Sequence, residues 1–405
     1  MGVRLPGRYN RPALRIVGRD RLVSRQLLGG RTAATFAVDD VGFRVARFRE
    51  LPRCGGPSPS PAASSRTPVR TNVGGRSTFG YKLPVVARSE DVLAQADRVA
   101  GALTAYACGD ALGVPYEGQP PTGDDDAVIE TPRASDRWAA GATSDDTALT
   151  LLAARCLVDA GGRADATMFL SRLADHDPPV PGMGPSTQAA LAYFRRTGAV
   201  PDDREGGTNG APMRALPVGW SVPPERMDLL VARTVELTRA THRSPEALVA
   251  ACVLAGCASW SLAGASAATL PDHAMAVVNI ARPVCGDASR LAGLLGELAA
   301  GRWAPPAAGI DLDAGETVVG VLHCVRGAES LRAGLLAAVR LGGDTDTVAA
   351  LVGGLLGARM PAAQVRAELP WSERVALPDV AEVCRLAAGL VALREPVVRS
   401  PGLRP

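Results

Sequence analysis

Residues 91–118 read DVLAQADRVAGALTAYACGDALGVPYEG, and this stretch decides the fold. Val92, Ala96, Val99, Leu103 and Tyr106 recur every three to four residues, the period of one apolar helix face, which predicts a helix over 91–108. Downstream the same period returns over 147–160, 165–174, 186–197, 225–240, 245–262, 287–300, 316–328, 330–340, 345–358 and 377–393. Ser244-Pro245-Glu246 is a start signal, an N-cap serine followed by proline at the first helical position. Breaks fall at Pro178-Pro179, Gly206-Gly207, Pro223-Pro224 and Pro305-Pro306. No run alternates apolar and polar residues for long enough to demand a sheet, and no fixed repeat is present. The expectation is a compact, all-α, multi-helix domain over 89–396, followed by a short tail at 397–405.

Upstream the character changes. Residues 1–88 are expected as a disordered or poorly ordered basic tail and linker, with CGGPSPSPAASSR at 54–66 a linker by composition. The first 85 residues carry 16 basic and 4 acidic groups, a net of +12, and the remainder carries 28 and 37, a net of −9. A basic arm admits a nucleic-acid or transit-peptide reading, but it lacks aromatic interleaving, and the acidic balance of the remainder argues against nucleic acid as a partner of the folded part. A 47% hydrophobic content excludes disorder of the whole chain, and 4% aromatics favours close helix packing over a β-sandwich.

The eight cysteines include no C-x-x-C and read as small buried hydrophobes in a reducing, cytoplasmic setting. No apolar core of a secretory signal lies in the first 20 residues. The longest uncharged run, 247–271, has 25 residues but is rich in Ala, Gly, Ser and Cys, so it reads as a helix among helices, not a membrane span.

Two acidic clusters stand at helix entries: Ser144-Asp145-Asp146-Thr147 before ALTLLAARCLV, and Gly342-Gly343-Asp344-Thr345-Asp346-Thr347 before VAALVGGLLGARM. Either alone reads first as a helix cap, since Ser, Thr and Asp are favoured there and the helix dipole welcomes negative charge. Together they offer four carboxylates and several hydroxyls without sulfur or imidazole, a donor set for Mg²⁺, Mn²⁺ or Ca²⁺ and not for zinc. That is more carboxylate than one Mg²⁺ usually takes, so two ions about 4 Å apart are expected.

The glycines of GDALGVPYEG allow a turn after the first helix that displays Glu117 as a general acid or base or as a surface glutamate. GGTNGAPMR at 206–214 and GMGPST at 182–187 are glycine-rich and suit an anion, though neither is a P-loop. His242, after Thr241, reads as a structural histidine or a site member. A prenyl-synthase reading is excluded, because Asp145-Asp146 is followed by Thr-Ala-Leu instead of completing D-D-x-x-D, and aromatics are sparse.

In order, GDALGVPYEG, GATSDDTAL, GMGPST, GTNGAPMRALPVG, ATHRSPEAL and LGGDTDTVAALVGGLLGAR make residues 98–359 resemble the ADP-ribosylglycohydrolase family, whose members include the glycohydrolase that reactivates dinitrogenase reductase. The resemblance implies a compact helical fold with two Mg²⁺ or Mn²⁺ ions held by Ser144, Asp145, Asp146, Asp344, Asp346 and Thr347. It implies that Glu117 is a mobile glutamate at the metals or in catalysis. By the same resemblance ADP-ribose is bound by Gly184, Ser186, Gly206, Gly207, Thr208, Asn209, Gly210 and His242. Ser144 stands where the family usually has Thr, keeping the hydroxyl, and Pro212 where Ala or Gly is more usual. Asp145 or Glu117 is expected to assist proton transfer as the bond at C1″ of the ribose breaks. The substrate is expected to be an ADP-ribosylated protein or an ADP-ribosyl small molecule, handled by a monomer without a membrane. The alternative is a non-catalytic ADP-ribose binder, which should have lost acidic ligands; none is missing.

Overall fold

A computed structural model describes residues 89–123, 130–203 and 205–394, and the backbone of residues 21–28, 32–39 and 42–50. The helices are α1 (Ser89–Gly113), α2 (Asp145–Asp159), α3 (Ala166–Ala174), α4 (Pro185–Thr197), α5 (Leu216–Ser221), α6 (Met227–Thr238), α7 (Pro245–Leu262), α8 (Leu270–Cys285), α9 (Ser289–Ala299), α10 (Ala314–Gly327), α11 (Leu331–Arg340), α12 (Thr345–Gly357), α13 (Ala362–Glu368) and α14 (Val380–Ala392). The all-α expectation holds for the described residues from 89 to 394.

The centre of the fold is an antiparallel pair, α1 against α12. Their contact is made of small residues: Gly109 faces the Ala349 carbonyl, Gly353 faces the Ala105 carbonyl, and a Cβ on Gly113 would come within 2.5 Å of Asp346 Cα. No larger side chain fits, so the two backbones approach closely and the C-terminal end of α1 lies beside the N-terminal end of α12. Thr345 Oγ1 pins that end by donating to Gly113 O at 2.9 Å. Both glycines of GDALG therefore lie inside α1, which runs to Gly113 and does not turn at Gly109 as expected. The turn comes after it, in the short 3₁₀ segment Val114–Tyr116.

Around this pair α5, α7, α10 and α14 complete one continuous apolar core. Helix α7 is the described helix long and apolar enough to cross a membrane, and most of it is buried inside the protein. Helix α8 was missed in the sequence, where the uncharged run was taken only as far as Pro271. Pro271 is the second residue of the helix, where its missing N–H costs nothing, and Leu270, Ala274, Val277, Val278 and Ala281 form the buried stripe. The short helices α5 and α13 were also missed, being too brief to show a period.

The expected tails at 1–88 and 397–405 lie largely outside the described residues. Within the first, the backbone forms an antiparallel meander, β1 (Arg21–Leu28), β2 (Thr32–Asp39) and β3 (Gly42–Glu50), in the order β1-β2-β3. The register pairs Arg25 with Thr35 and Phe36 with Val45, and it shifts between Thr35 and Phe36. The sequence reading anticipated no sheet there; such irregularities break each period-two run into pieces of a few residues.

Candidate active site

Gly342 and Gly343 thread the second acidic motif into place, with φ of 69° and 76°, a region that L side chains avoid. A Cβ on Gly343 would collide with the Ile310 carbonyl, and one on Gly342 with the Pro121 nitrogen. The strand-like segment is stitched on both sides: Gly118 N donates to Gly343 O at 2.8 Å, Gly343 N to Gln119 O at 2.8 Å, and Asp344 N to Ile310 O at 2.7 Å. Asp344 thereby becomes the N-cap residue of α12 and Asp346 falls in its first turn.

Asp344 occupies the cap position, yet its side chain accepts no helix N–H. It takes the Asn209 side-chain amide instead, and the same amide donates to Thr317 Oγ1 at 3.0 Å. Ligand oxygens of Glu117, Asp344 and Asp346 all lie within 4.8 Å of one another. Glu117 is exposed on the turn after Tyr116, while Asp344 and Asp346 are buried.

The first motif forms the adjoining wall. Ser144 is a true N-cap of α2: its Oγ accepts from Asp146 N at 3.1 Å and donates to Asp146 Oδ2 at 3.1 Å. Thr347 Oγ1 donates to the same Asp146 Oδ2 at 3.2 Å, tying α12 to α2. Capping and site formation are thus not alternatives for Ser144. Asp145 stands beside these residues, near the GMGPST segment. Its Oδ1 lies 3.3 Å from where a Cβ on Gly182 would sit, with the Trp138 ring 3.6 Å from that point.

Asp110, which sequence reasoning passed over, holds this wall to α1. Its carboxylate accepts from Ser144 N at 3.0 Å, Thr147 N at 3.1 Å and Thr147 Oγ1 at 2.5 Å, and it is fully buried. The available signal was its place in GDALG one helical turn before Gly113, hidden by the assumption that the helix had already ended.

The electrostatics follow from crowding. Burial, then the neighbouring carboxylates, pushes Asp145 up to about 7. Burial raises Asp110 to about 6 against the opposing hydrogen bonds from Thr147 and Ser144. Asp146 and Asp346 are also driven up, by burial first and then by Asp110 and Asp344 respectively. Glu117 is raised by desolvation and by Asp344, with Arg137 opposing. Among the described residues no arginine forms an ion pair with any of these carboxylates. A buried group of like charges that no arginine pairs directly is stabilised in ionised form by a cation among them, and the all-oxygen donors suit a hard divalent ion.

The glycine-rich segments close the other side. Ser186, near the start of α4, lies 3.5 Å from Thr208 Oγ1, so the GMGPST and GTNG motifs meet there. Gly184 is the N-cap of α4 and Gly206 has φ of 77°. Asn209 and His242 are buried and hydrogen-bonded to protein groups. Asn209 is 4% exposed and committed to Asp344 and Thr317; His242 is 1% exposed, packs against Gly210, and has both ring nitrogens engaged by Thr241 and Thr208. A separate surface cleft of about 450 Å³, lined by Asn279, Arg282, Pro283, Gly286 and Asp287, includes no member of the acidic cluster.

Residues 91–397 match the profile of the family described as ADP-ribosylglycohydrolase. The uncharacterized protein YegU of Escherichia coli (strain K12) is 27% identical over 292 residues, covering 65% of this chain and 87% of that protein. A solved structure titled ADP-ribosylglycohydrolase-related protein complex superimposes with a TM-score of 0.57 at 26% identity, covering 74% of this chain and 99% of that one.

Proposed function

The chain belongs to the ADP-ribosylglycohydrolase family, and we propose that it hydrolyses the glycosidic bond between ADP-ribose and an acceptor, using divalent metal held at the acidic cluster. The observation that carries this reading is the convergence of Glu117, Asp344 and Asp346 within 4.8 Å, beside further buried carboxylates that no arginine among the described residues pairs. Glu117, Asp344 and Asp346 would hold one Mg²⁺ or Mn²⁺, and Ser144, Asp145, Asp146 and Thr347 supply oxygens for a second. Bound there, such ions polarise ribose hydroxyls and make water acidic enough to serve as a nucleophile near neutral pH.

The chain's own part is positioning and proton transfer. Asp145 Oδ1, beside Gly182 and the Trp138 ring, accepts the proton of the attacking water as its oxygen bonds to C1″. The bond from C1″ to the acceptor nitrogen or oxygen breaks, and a proton is returned to that acceptor atom. Glu117, on its exposed turn, is the group able to move as substrate enters. Gly184, Ser186 and the loop from Gly206 to Gly210 line the ADP-ribose side. We further propose a monomer in the cytoplasm; the seven described cysteines are free thiols, as a reducing compartment requires.

The test is release of free ADP-ribose from arginine-, serine- and nucleic-acid-linked substrates, each with Mg²⁺, Mn²⁺ and EDTA. Release from at least one, abolished by EDTA, supports the reading. Binding of ADP-ribose without release from any of them contradicts it and leaves a binding protein.

A further inference from the structure

A line of hydrogen bonds runs from the interior of the protein to the cleft. Arg214 is 1% exposed, and its Nη2 donates to Thr241 Oγ1 at 2.6 Å. Thr241 Oγ1 lies 2.7 Å from His242 Nδ1, His242 Nε2 lies 2.9 Å from Thr208 Oγ1, and Thr208 Oγ1 lies 3.5 Å from Ser186 Oγ. Arg214 reaches this position by stacking over the Phe169 ring at 4.7 Å and donating to Gly210 O and Thr238 O.

The direction of the chain follows from what each group can do. Arginine only donates, so Thr241 Oγ1 accepts from Arg214. Thr241 is 1% exposed, and among the described residues the one other polar atom at its hydroxyl is His242 Nδ1. Were Nδ1 protonated, the Thr241 hydroxyl would accept twice and leave its own buried O–H without an acceptor, which buried polar groups avoid. The Thr241 O–H therefore donates to Nδ1. Burial, followed by Arg214 and Arg243, keeps the ring neutral, so its one proton is on Nε2. Nε2–H then donates to Thr208 Oγ1, and the Thr208 O–H is directed outward.

We propose that Arg214, Thr241 and His242 form a one-way relay that leaves the Thr208 O–H free to donate into the cleft, so that the ligand atom receiving it is an acceptor oxygen of the diphosphate or ribose class. Thr208 is the residue that touches ligand; Arg214, Thr241 and His242 are positioning residues. The half-buried Thr208 and the Ser186 hydroxyl next to it form the receiving edge. This assignment rests on the reading of the cleft as an ADP-ribose site.

The experiment has two parts. Long-range ¹⁵N–¹H NMR of the histidine rings in the full-length protein, with the His242 signals assigned from a His242→Gln sample, reports the tautomer without any ligand. Neutral His242 with its proton on Nε2 is expected; a proton on Nδ1 overturns the relay. ADP-ribose titration then follows the consequence. Thr208→Val and Thr241→Val are expected to bind at least about tenfold more weakly, the loss of one well-placed hydrogen bond to an anionic or polar oxygen. Thr241→Ser, which restores the hydroxyl, recovers binding to within about threefold, the scatter expected of a conserved contact. Equal weakening by Thr241→Ser and Thr241→Val overturns the relay. Failure of the unmodified protein to bind ADP-ribose, with the Nε2 tautomer present, overturns the ADP-ribose reading instead.

Discussion

Thr147 Oγ1 donates a 2.5 Å hydrogen bond to Asp110 Oδ2, and this contact fastens the helix bearing Asp145 and Asp146 to the central helix of the fold. The same carboxylate receives the N–H groups of Ser144 and Thr147, so a side chain from one helix caps the start of another. The acidic wall is consequently positioned by a residue that need not touch substrate.

Removing that carboxylate tests its role. Asp110→Ala leaves buried donors at the start of α2 unpaired and should cost about 2–4 kcal/mol in denaturant unfolding, since each orphaned donor costs about 1–3 kcal/mol and water recovers part of the loss. Metal affinity should fall with it. Unchanged unfolding and metal binding would show that α2 is held by packing alone.

The carboxylates also set the pH dependence of the metal-free protein. Asp145 and Asp110 are raised, to about 7 and about 6, from an ordinary aspartate value of about 4. A group whose pKa rises on folding binds its proton more tightly in the folded state, so it stabilises fully below the unfolded pKa and loses that contribution as pH climbs through the folded one. Metal-free protein should therefore lose thermal stability between about pH 4 and pH 7 through these groups. Mn²⁺ or Mg²⁺ should restore stability most at the upper end, where the ligands are ionised. Thermal melts with EDTA and with metal, taken across this range, check both signs.

Gly343→Ala is expected to be severe. The position has φ of 76° and faces the Ile310 carbonyl, so the substitution meets both a strained conformation of about 1–3 kcal/mol and a backbone collision. Loss of more than about 3 kcal/mol of stability, with loss of metal binding through the displaced Asp344, is the predicted result. Gly118→Ala, at a comparable φ of 75° but in open space, should cost only the conformational part.

Asn209 is placed to hold Asp344, so Asn209→Ala should weaken metal binding about tenfold, as for loss of a charge-assisted hydrogen bond, while leaving the ADP-ribose affinity of the loop less affected. Mn²⁺ and ADP-ribose titrations on the same variant separate the two effects. Equal losses would return Asn209 to the ligand-contacting role expected from the sequence.

How much of this was legible beforehand differs from residue to residue. Periodic apolar spacing located α1, α2, α7 and α12, and the paired acidic helix entries pointed to Asp344 and Asp346 because carboxylates crowd against apolar helices only for a reason. Asp110 was hidden because glycine carries two meanings: Gly109 looked like a stop and is a point of close approach between α1 and α12. His242 and Asn209 were assigned to the ligand by motif membership, which does not reveal the protein groups that hold them: Thr208 and Thr241 for His242, Asp344 and Thr317 for Asn209. Pro271 closed the uncharged run read from the sequence, yet it stands at the second position of α8.

The central claim is that the acidic cluster is a metal-dependent hydrolytic centre, and the most direct measurement is the turnover of Asp346→Ala with saturating Mg²⁺ or Mn²⁺ on a substrate that the unmodified protein cleaves. Asp346 lies in the carboxylate group with Glu117 and Asp344, so its loss should reduce ADP-ribose release by more than about a hundredfold, the scale of removing metal-supported charge stabilisation worth several kcal/mol. Turnover equal to that of the unmodified protein would contradict the account.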